Sequence, residues 1–238
     1  MIEARGLTLH AAGHCLVRDL RWQAKLGERW CVIGRNAVGK SSLLRALAGL
    51  SVPQRSGAVL WLDREQHQWP ALDAASVRAF AAQHHSDRFP ISVRRLLELS
   101  IVVPGVRAIE GTLSDLDAGA LAERDVLQLS GGERQRVALA QCALQGAPLM
   151  LMDEPVAFQD PAHQLQVARW LSALSDAALV VSAHDVNWIA RTATHVLALY
   201  GEDGAWEAGP VDAMLQAARL KRAYGCEWRA IDGVWAAA

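Results

Sequence analysis

The 238-residue chain is 52% hydrophobic and 21% charged, and its formal net charge at pH 7 is −1. A chain of this size and composition can bury a full hydrophobic core, whereas its near-neutral charge argues against binding to nucleic acid or to an anionic lipid surface. The four cysteines lack metal-ligand spacing, which favours free thiols in a reducing compartment. The sequence has no signal-peptide pattern and no membrane-length apolar run, so we expect a cytoplasmic protein.

The first part of the chain predicts strands, then a loop and a helix. Apolar and polar residues alternate over the first 30 positions, which predicts half-buried strands. The continuous apolar run 30–33 predicts a strand that is buried on both faces. A glycine-bearing loop and a helix over 41–48 follow, and another strand is predicted over 58–62.

The rest of the chain is helical at first and then alternates. Residues 86–145 have a helical pattern, and the strands and helices that follow predict an α/β fold with a parallel core. The predicted strands are 149–152, 179–182 and 196–200. The predicted helices are 162–175, 186–193 and 211–222. Asp203-Gly204 predicts a hairpin turn after the last of these strands.

The loop after the first buried strand fits the phosphate-binding pattern G-x-x-x-x-G-K-[ST]. Its residues are Gly34, Arg35, Asn36, Ala37, Val38, Gly39, Lys40 and Ser41. Glycines let backbone N–H groups turn towards phosphates, and the start of the helix adds partial positive charge. We expect Lys40 to reach the β- and γ-phosphates of a nucleotide, Ser41 to bind Mg²⁺ and Ser42 to lie beside them.

The predicted strand 149–152 ends in two adjacent carboxylates, Asp153 and Glu154. Ligands of open α/β sheets bind at the carboxyl ends of the strands, and adjacent residues point in different directions. We expect Asp153 to hold Mg²⁺ and Glu154 to polarise the water that attacks the γ-phosphate. Taken alone, such a pair is more often a solvated turn. The phosphate loop earlier in the chain favours the catalytic interpretation.

A third segment, residues 129–136, opens the helix that ends near residue 145. Ser130 and Glu133 form an S-x-x-E capping box, and Gly131 and Gly132 leave the helix N-terminus open to an anion. Taken alone, this pattern is usually an ordinary helix cap. The octapeptide resembles the signature sequence of the ABC ATPases. The resemblance implies that these four residues close over the γ-phosphate held by the phosphate loop of a second copy.

The resemblance covers essentially the whole chain and implies roles for further residues. Gln83 matches the Q-loop glutamine, which contacts Mg²⁺ and the transmembrane subunit. His184 matches the switch histidine, which contacts the γ-phosphate and orients Glu154. Asp160 matches the aspartate of the D-loop. Arg94, after the Q-loop, and its neighbour Arg95 are candidates for contact with a permease.

The chain departs from the family pattern at three places. Ala37 stands where the family usually has glycine, so we expect strain in the phosphate loop. Residues 157–160 read Ala-Phe-Gln-Asp instead of Ser-Ala-Leu-Asp. The family's adenine-stacking aromatic falls near Ala11, where no aromatic occurs, which leaves His10 or His14 as candidates.

The resemblance implies a single ABC-type P-loop ATPase domain over 1–238. This α/β fold has a mixed sheet, an N-terminal antiparallel β portion and a helical subdomain at about 86–145, inserted between core segments 1–85 and 146–238. The implied cofactors are ATP and Mg²⁺. The implied partners are a second copy, transmembrane permease subunits and, indirectly, a periplasmic substrate-binding protein, with no nucleic acid. We expect peripheral attachment to the cytoplasmic face of the inner membrane.

Three kinds of ABC protein are compatible with these motifs: an import motor, an export motor and a non-transport ATPase. The single cassette, with no sustained heptads between Lys40 and Asp153, argues against the third. The segments 160–164 and 184–187 and the tail after 196–200 resemble the ATPases of iron-siderophore, haem and cobalamin importers. We therefore expect an importer subunit, and the transported substrate is not readable from this chain.

Overall fold

The computed structural model describes residues 1–102 and 107–238, and its strands form two large sheets and one hairpin. In chain order the strands are β1 (Ile2–Ala11), β2 (His14–Ala24), β3 (Arg29–Ile33), β4 (Gln54–Trp61), β5 (Arg64–Glu65), β6 (Arg78–Ala81), β7 (Leu149–Met152), β8 (Ala178–Ser182), β9 (His195–Leu199), β10 (Trp206–Pro210), β11 (Trp228–Ile231) and β12 (Val234–Ala237). The α-helices are α1 (Lys40–Leu47), α2 (Ala71–Val77), α3 (Val93–Glu98), α4 (Ile109–Asp115), α5 (Gly131–Gln145), α6 (Pro161–Ala173), α7 (Val186–Thr192), α8 (Val211–Met214) and α9 (Ala217–Tyr224). Within these described ranges, every helix is too short or too polar to cross a membrane.

The first sheet is antiparallel, with the strand order β2-β1-β4-β5. In β1 the side chains of Ile2, Ala4, Leu7 and Leu9 are buried, while the residues between them are partly or fully exposed. This alternation arises because successive side chains of a strand point to opposite faces, and an irregularity between Ala4 and Leu7 shifts it by one position. The predicted N-terminal antiparallel portion is confirmed.

The second sheet is mixed, with the strand order β10-β9-β3-β8-β7-β6. Its five strands from β9 to β6 run parallel, and β10 pairs antiparallel with β9. The turn between β9 and β10 contains Asp203 and Gly204 with φ of 52° and 80°, which is the backbone conformation that short hairpin turns require. The mixed sheet and this hairpin are as predicted.

The second sheet is covered on both faces, which explains the continuous apolar runs of its strands. In β7, Met150 and Met152 face a core shared with α5, α6 and α7, while Leu149 and Leu151 face α1 and the first sheet. Parallel strands all end at the same edge of a sheet. The segments that follow β3, β6, β7 and β8 therefore meet at one edge.

Helices α3, α4 and α5 lie between β6 and β7 in the chain. They contribute Val93, Leu97, Leu113, Val137 and Leu139 to the core on one face of the second sheet. These helices fall inside the predicted helical subdomain at 86–145, whose independence as a unit stays a prediction.

The predicted single helix over 211–222 is wrong, because the structure has α8 and α9 with a break at Leu215 and Gln216. Met214 and Leu215 are consecutive and both buried. In a continuous helix Met214 would share a face with Ala218 and Lys221, but these are exposed, and α9 buries Leu220 and Ala223 instead. Leaving the helical conformation at Leu215, with ψ of 72°, changes the helix phase so that both segments face the core. Strand β6 and the β11–β12 hairpin had no clear signal in the sequence.

Candidate active site

The phosphate loop connects β3 to α1 and depends on two glycines. Gly34 has φ of 140° and Gly39 has φ of 115°, conformations that other residues rarely adopt. A Cβ on Gly34 would lie 2.5 Å from the carbonyl oxygen of Leu199, and one on Gly39 would lie 2.9 Å from Cβ of Leu16. The loop is therefore held tightly between β9 and β2, and neither glycine can be replaced without moving its neighbours.

Ala37 has a left-handed backbone, with φ of 62°. A non-glycine residue pays about 1–2 kcal/mol for this conformation. The strain expected from the alanine at this position is therefore present in the geometry of the loop.

Lys40 is the first residue of α1 and is only 6% exposed. Its Nζ donates hydrogen bonds to the carbonyl oxygens of Gly34 at 2.9 Å and Arg35 at 3.1 Å. Burial lowers the pKa of Lys40, while the nearby carboxylates of Glu154 and Asp153 oppose that shift. An ammonium group forms stronger hydrogen bonds with anionic phosphate oxygens than with these two neutral carbonyl oxygens. We therefore expect Lys40 to bind phosphate when a nucleotide is present.

The N-terminus of α1 provides a second phosphate-binding element. Gly39 occupies the N-cap position, and among the described residues no side chain caps the helix there. The first N–H groups of a helix lack intrahelical partners and carry partial positive charge. The loop, the lysine and the helix end together fit a nucleotide phosphate chain.

The acidic pair after β7 is fixed by a serine that the sequence analysis did not assign. Ser182, the last residue of β8, donates from Oγ to Oδ1 of Asp153 at 2.6 Å. The same Oγ accepts a hydrogen bond from the backbone N–H of Glu154 at 2.9 Å. Asp153 also donates from its backbone N–H to the carbonyl oxygen of Ala81 on β6 at 2.9 Å. The pair is thus anchored to both neighbouring strands.

The structure brings together three residues that were predicted from separate motifs. Gln83 donates from Nε2 to Oε2 of Glu154 at 2.9 Å. Nε2 of His184 lies 2.5 Å from Oε1 of the same carboxylate. Both oxygens of Glu154 are therefore held by side chains from two other segments, and the backbone of Glu154 is itself left-handed, with φ of 51°.

An open groove of about 780 Å³ connects the phosphate loop to this carboxylate. Its lining includes Lys40, Ser41 and Ser42 on one side, and Gln83, Glu154 and His184 on the other. Of the two histidines considered for the adenine, His14 lines the groove, as does Cys15. Cys31, on β3 beneath the loop, is fully buried, and burial raises the pKa of its thiol.

The signature segment starts α5 with a complete capping box. The backbone N–H of Ser130 donates to Oε2 of Glu133 at 2.8 Å, and the N–H of Glu133 donates to Oγ of Ser130 at 3.3 Å. A Cβ on Gly132 would lie 2.7 Å from the carbonyl oxygen of Phe158, so this position requires glycine. Within one chain, Gly131 lines a separate cavity of about 370 Å³ rather than the phosphate groove.

Asp160 acts as the N-cap of α6 in this chain. Its Oδ1 accepts a hydrogen bond from the backbone N–H of His163 at 3.0 Å, and its Oδ2 lies 2.9 Å from Nδ1 of the same histidine. These contacts lower the pKa of Asp160. Its contribution to a D-loop stays a prediction.

Comparison with known proteins identifies relatives of this chain. The sequence profile of the family described as ABC transporter matches residues 17–157. The chain is 36% identical over 212 residues to the hemin import ATP-binding protein HmuV of Pseudomonas entomophila (strain L48), covering 84% of this chain and 83% of that protein. It is 34% identical over 201 residues to the cobalamin import ATP-binding protein BtuD of Halobacterium salinarum, covering 80% of this chain and 50% of that longer protein.

A solved structure described as a metal-chelate type ABC transporter in an inward-facing conformation superimposes with a TM-score of 0.77. The alignment covers 99% of this chain and 95% of the other at 21% identity, which shows a common fold. A phosphate loop facing a carboxylate held by two side chains defines a P-loop nucleoside triphosphatase. The chain belongs to the ABC transporter family and is one of its ATP-hydrolysing ATP-binding proteins.

Proposed function

We propose that ATP hydrolysis in the phosphate groove drives the import of a metal chelate, such as haem or an iron-siderophore, or of cobalamin through separate membrane subunits. The observation that supports the chemical part is the Glu154 carboxylate, held by Gln83 and His184 across the groove from Lys40. The relatives named for hemin and cobalamin import support the transport part and favour import over export.

The chain's own residues would divide the reaction between binding and proton transfer. Lys40 and the N-terminus of α1 bind the phosphates, and Ser41, Asp153 and Gln83 would hold Mg²⁺. When bound, Mg²⁺ neutralises charge on the β- and γ-phosphate oxygens. Glu154 orients the attacking water and accepts its proton. His184 holds that carboxylate in place and contacts the γ-phosphate.

A second copy of the chain would complete each site. Ser130, Gly131, Gly132 and Glu133 lie at the N-terminus of α5, and none of them is among the described residues that line the phosphate groove of their own chain. In a two-fold head-to-tail dimer, each signature segment would cover the phosphates bound by the other chain, as the family resemblance implies. The cross-site role of Asp160 belongs to the same proposal.

The permease would bind beside the Q-loop, mainly through apolar side chains, since both predicted contacts, Arg94 and Arg95, already form ion pairs within the chain. Arg94 is engaged within the chain, because it pairs with Glu110 at 2.6 Å and with Glu123 at 2.7 Å. Phe89 is 76% exposed and Leu99 is 66% exposed, and they flank α3. Contiguous exposed apolar patches are typical of protein contact surfaces, and these two side chains would form part of one. Through this contact the chain would attach to the cytoplasmic face of the membrane.

The decisive experiment is reconstitution with the cognate permease and the periplasmic substrate-binding protein in lipid vesicles. We expect ATP-dependent uptake of haem, a ferric siderophore or cobalamin, with hydrolysis stimulated by the loaded binding protein. Phe89→Asp and Leu99→Asp should weaken binding to the permease while ATP binding is unchanged. Hydrolysis that responds to DNA or ribosomes, with no uptake of any of the three compounds, would overturn the importer assignment.

A further inference from the structure

Gln135 is a fully buried polar side chain within the second turn of α5, only 1% exposed. Its Nε2 donates to the backbone carbonyl oxygen of Glu154 at 3.4 Å, and its Oε1 lies 3.2 Å from Nε2 of His85. Burying an amide is unfavourable unless both of its ends are hydrogen-bonded. The two contacts of Gln135 satisfy this condition by joining two distant segments.

The direction of the hydrogen bonds follows from the chemistry of the partners. A carbonyl oxygen only accepts, so the end of Gln135 that faces Glu154 must be the NH₂ group. The other end is then the amide oxygen, which requires a proton on Nε2 of His85. Burial, assisted by the charge of Arg134, lowers the pKa of His85, in keeping with a neutral ring that carries this single proton.

A second contact holds the segment after Gln83 to the same helix. Nε and Nη2 of Arg134 donate to the two carboxylate oxygens of Asp87, at 2.5 and 3.0 Å. Bidentate pairs of this kind fix orientation as well as distance. His85 therefore approaches Gln135 from a segment that this ion pair also holds to α5.

The atom that Gln135 contacts belongs to a residue in an unfavourable backbone conformation. Glu154 has φ of 51°, and such residues keep their conformation only where their surroundings fix them. Its N–H is held by Ser182 and its carbonyl oxygen accepts from the N–H of Ala157 at 3.0 Å as well as from Gln135. The direction of the Glu154 side chain depends on these backbone contacts.

We propose that Gln135 is a positioning residue that couples the signature helix and the Q-loop segment to the backbone of Glu154. The proposal rests on the proposed ATPase role of Glu154 and on the proposed contact of Ser130 with ATP bound by a second copy. Ser130 caps the helix that carries Gln135. A shift of α5 when the dimer closes is then passed to the catalytic carboxylate of the same chain. This route does not require the altered D-loop.

The first test compares steady-state hydrolysis by Gln135→Ala and Gln135→Glu with that of the wild type. Gln135→Glu keeps the size of the side chain and an acceptor for His85, but loses the N–H that faces Glu154. We expect kcat to fall between about tenfold and 100-fold, because small displacements of a reacting group have effects of this size. KM for ATP and the affinity for a fluorescent ATP analogue should be unchanged.

The matched control is Gln145→Ala, on the same helix. The amide of Gln145 also donates to backbone carbonyls, those of Ala75 at 2.5 Å and Arg78 at 2.9 Å, but these are not part of the active site. We expect a kcat close to that of the wild type. An equal loss in Gln145→Ala, or a normal kcat in Gln135→Glu, would overturn the proposal.

The second test asks whether Gln135 acts through Glu154, using single-turnover hydrolysis of radiolabelled ATP. In the Glu154→Gln background, Gln135→Ala should cause no further loss, since residues that act through one another are not additive. A further loss as large as in the wild-type background would show an independent structural effect and overturn the proposal.

The same assay tests the hydrogen bond between His85 and Gln135. His85→Gln retains an N–H donor and should keep more activity than His85→Ala, and equal losses would contradict the proposed coupling. The proposed role of Glu154 in ATP hydrolysis fails separately, if the wild type does not hydrolyse ATP or if Glu154→Gln hydrolyses it at the wild-type rate.

Discussion

The phosphate loop and the signature segment both start helices at glycines, but they are built in opposite ways. The loop before α1 is confined by β9 and β2. Nζ of Lys40 lies within it and donates hydrogen bonds to the carbonyl oxygens of Gly34 and Arg35. At the start of α5 the N–H groups of Ser130 and Glu133 each donate to the other residue's side chain, and Gly132 packs against the backbone of Phe158. The first element is complete in one chain, whereas we propose that the second binds ATP held by a second copy. The phosphate loop would then be a preformed binding site, and the signature segment a sensor that the partner completes.

The largest effect is expected from a substitution that removes the general base and leaves the phosphate loop and the signature segment intact. Glu154→Gln should lower kcat by about 10²–10⁴-fold, the usual effect of losing a general base. ATP binding should survive, because Lys40 and α1 do not change. Steady-state phosphate release and nucleotide affinity measure the two quantities, and near-normal turnover would remove Glu154 from this role.

The comparison itself is tested by mixing two inactive variants. Lys40→Ala damages the preformed site and Ser130→Arg blocks the sensor, so each homodimer should be inactive. An equimolar mixture should recover up to about a quarter of wild-type activity, since half of the dimers are mixed and each has one intact composite site. Hydrolysis by the mixture measures this recovery. The absence of recovery, together with activity strictly linear in protein concentration, would mean that each chain works alone.

An intermediate effect concerns the attachment of the Q-loop segment to α5. Asp87→Asn should lower the free energy of unfolding by about 1.5–3 kcal/mol at neutral pH, the range for hydrogen bonds to charged groups. The Arg134 guanidinium lowers the pKa of Asp87. The stabilisation should be complete above the carboxyl's unfolded pKa of about 3.9 and disappear as pH falls through its lower folded value. Denaturant titrations of both proteins at several pH values measure the difference, and a difference independent of pH would exclude the ion pair as its cause.

The smallest effect concerns strain in the preformed site. Ala37→Gly removes a left-handed alanine and should raise the free energy of unfolding by about 1 kcal/mol. Ala48→Gly is a control for backbone conformation, because Ala48 has an ordinary φ of −77°. Its methyl group is buried, so we expect glycine there to lower the free energy of unfolding. Thermal unfolding compares the two. Stabilisation by both substitutions, or by neither, would show that the conformation of Ala37 carries little strain.

The sequence predicted the parts of this molecule that depend on local pattern. The apolar runs of β3 and β7 and the alternation in β1 reflect burial that is visible along the chain. The residues Lys40, Glu154 and Ser130 were recognisable because each belongs to a short motif.

The features that the sequence did not predict depend on contacts between residues far apart in the chain. Ser182 has no motif of its own, and its role appears only when β8 lies beside β7. Gln135 lies within the signature helix, yet its partners come from two other segments. The break between α8 and α9 changes which positions face the core, and the sequence pattern alone did not resolve it.

Once Cys226, which is also a partly exposed free cysteine, is replaced by serine, the cysteines near the groove make the protein suitable for selective chemical labelling. Cys15 lines the groove and is partly exposed, whereas Cys31 is sealed beneath the phosphate loop as a protonated thiol. Thiolates, not thiols, react with maleimides and disulfide reagents. A fluorophore on Cys15 would therefore report directly on whether the groove is filled, and Cys31 would stay silent until the protein unfolds. A single sample would therefore report nucleotide binding through Cys15 and loss of the folded structure through Cys31.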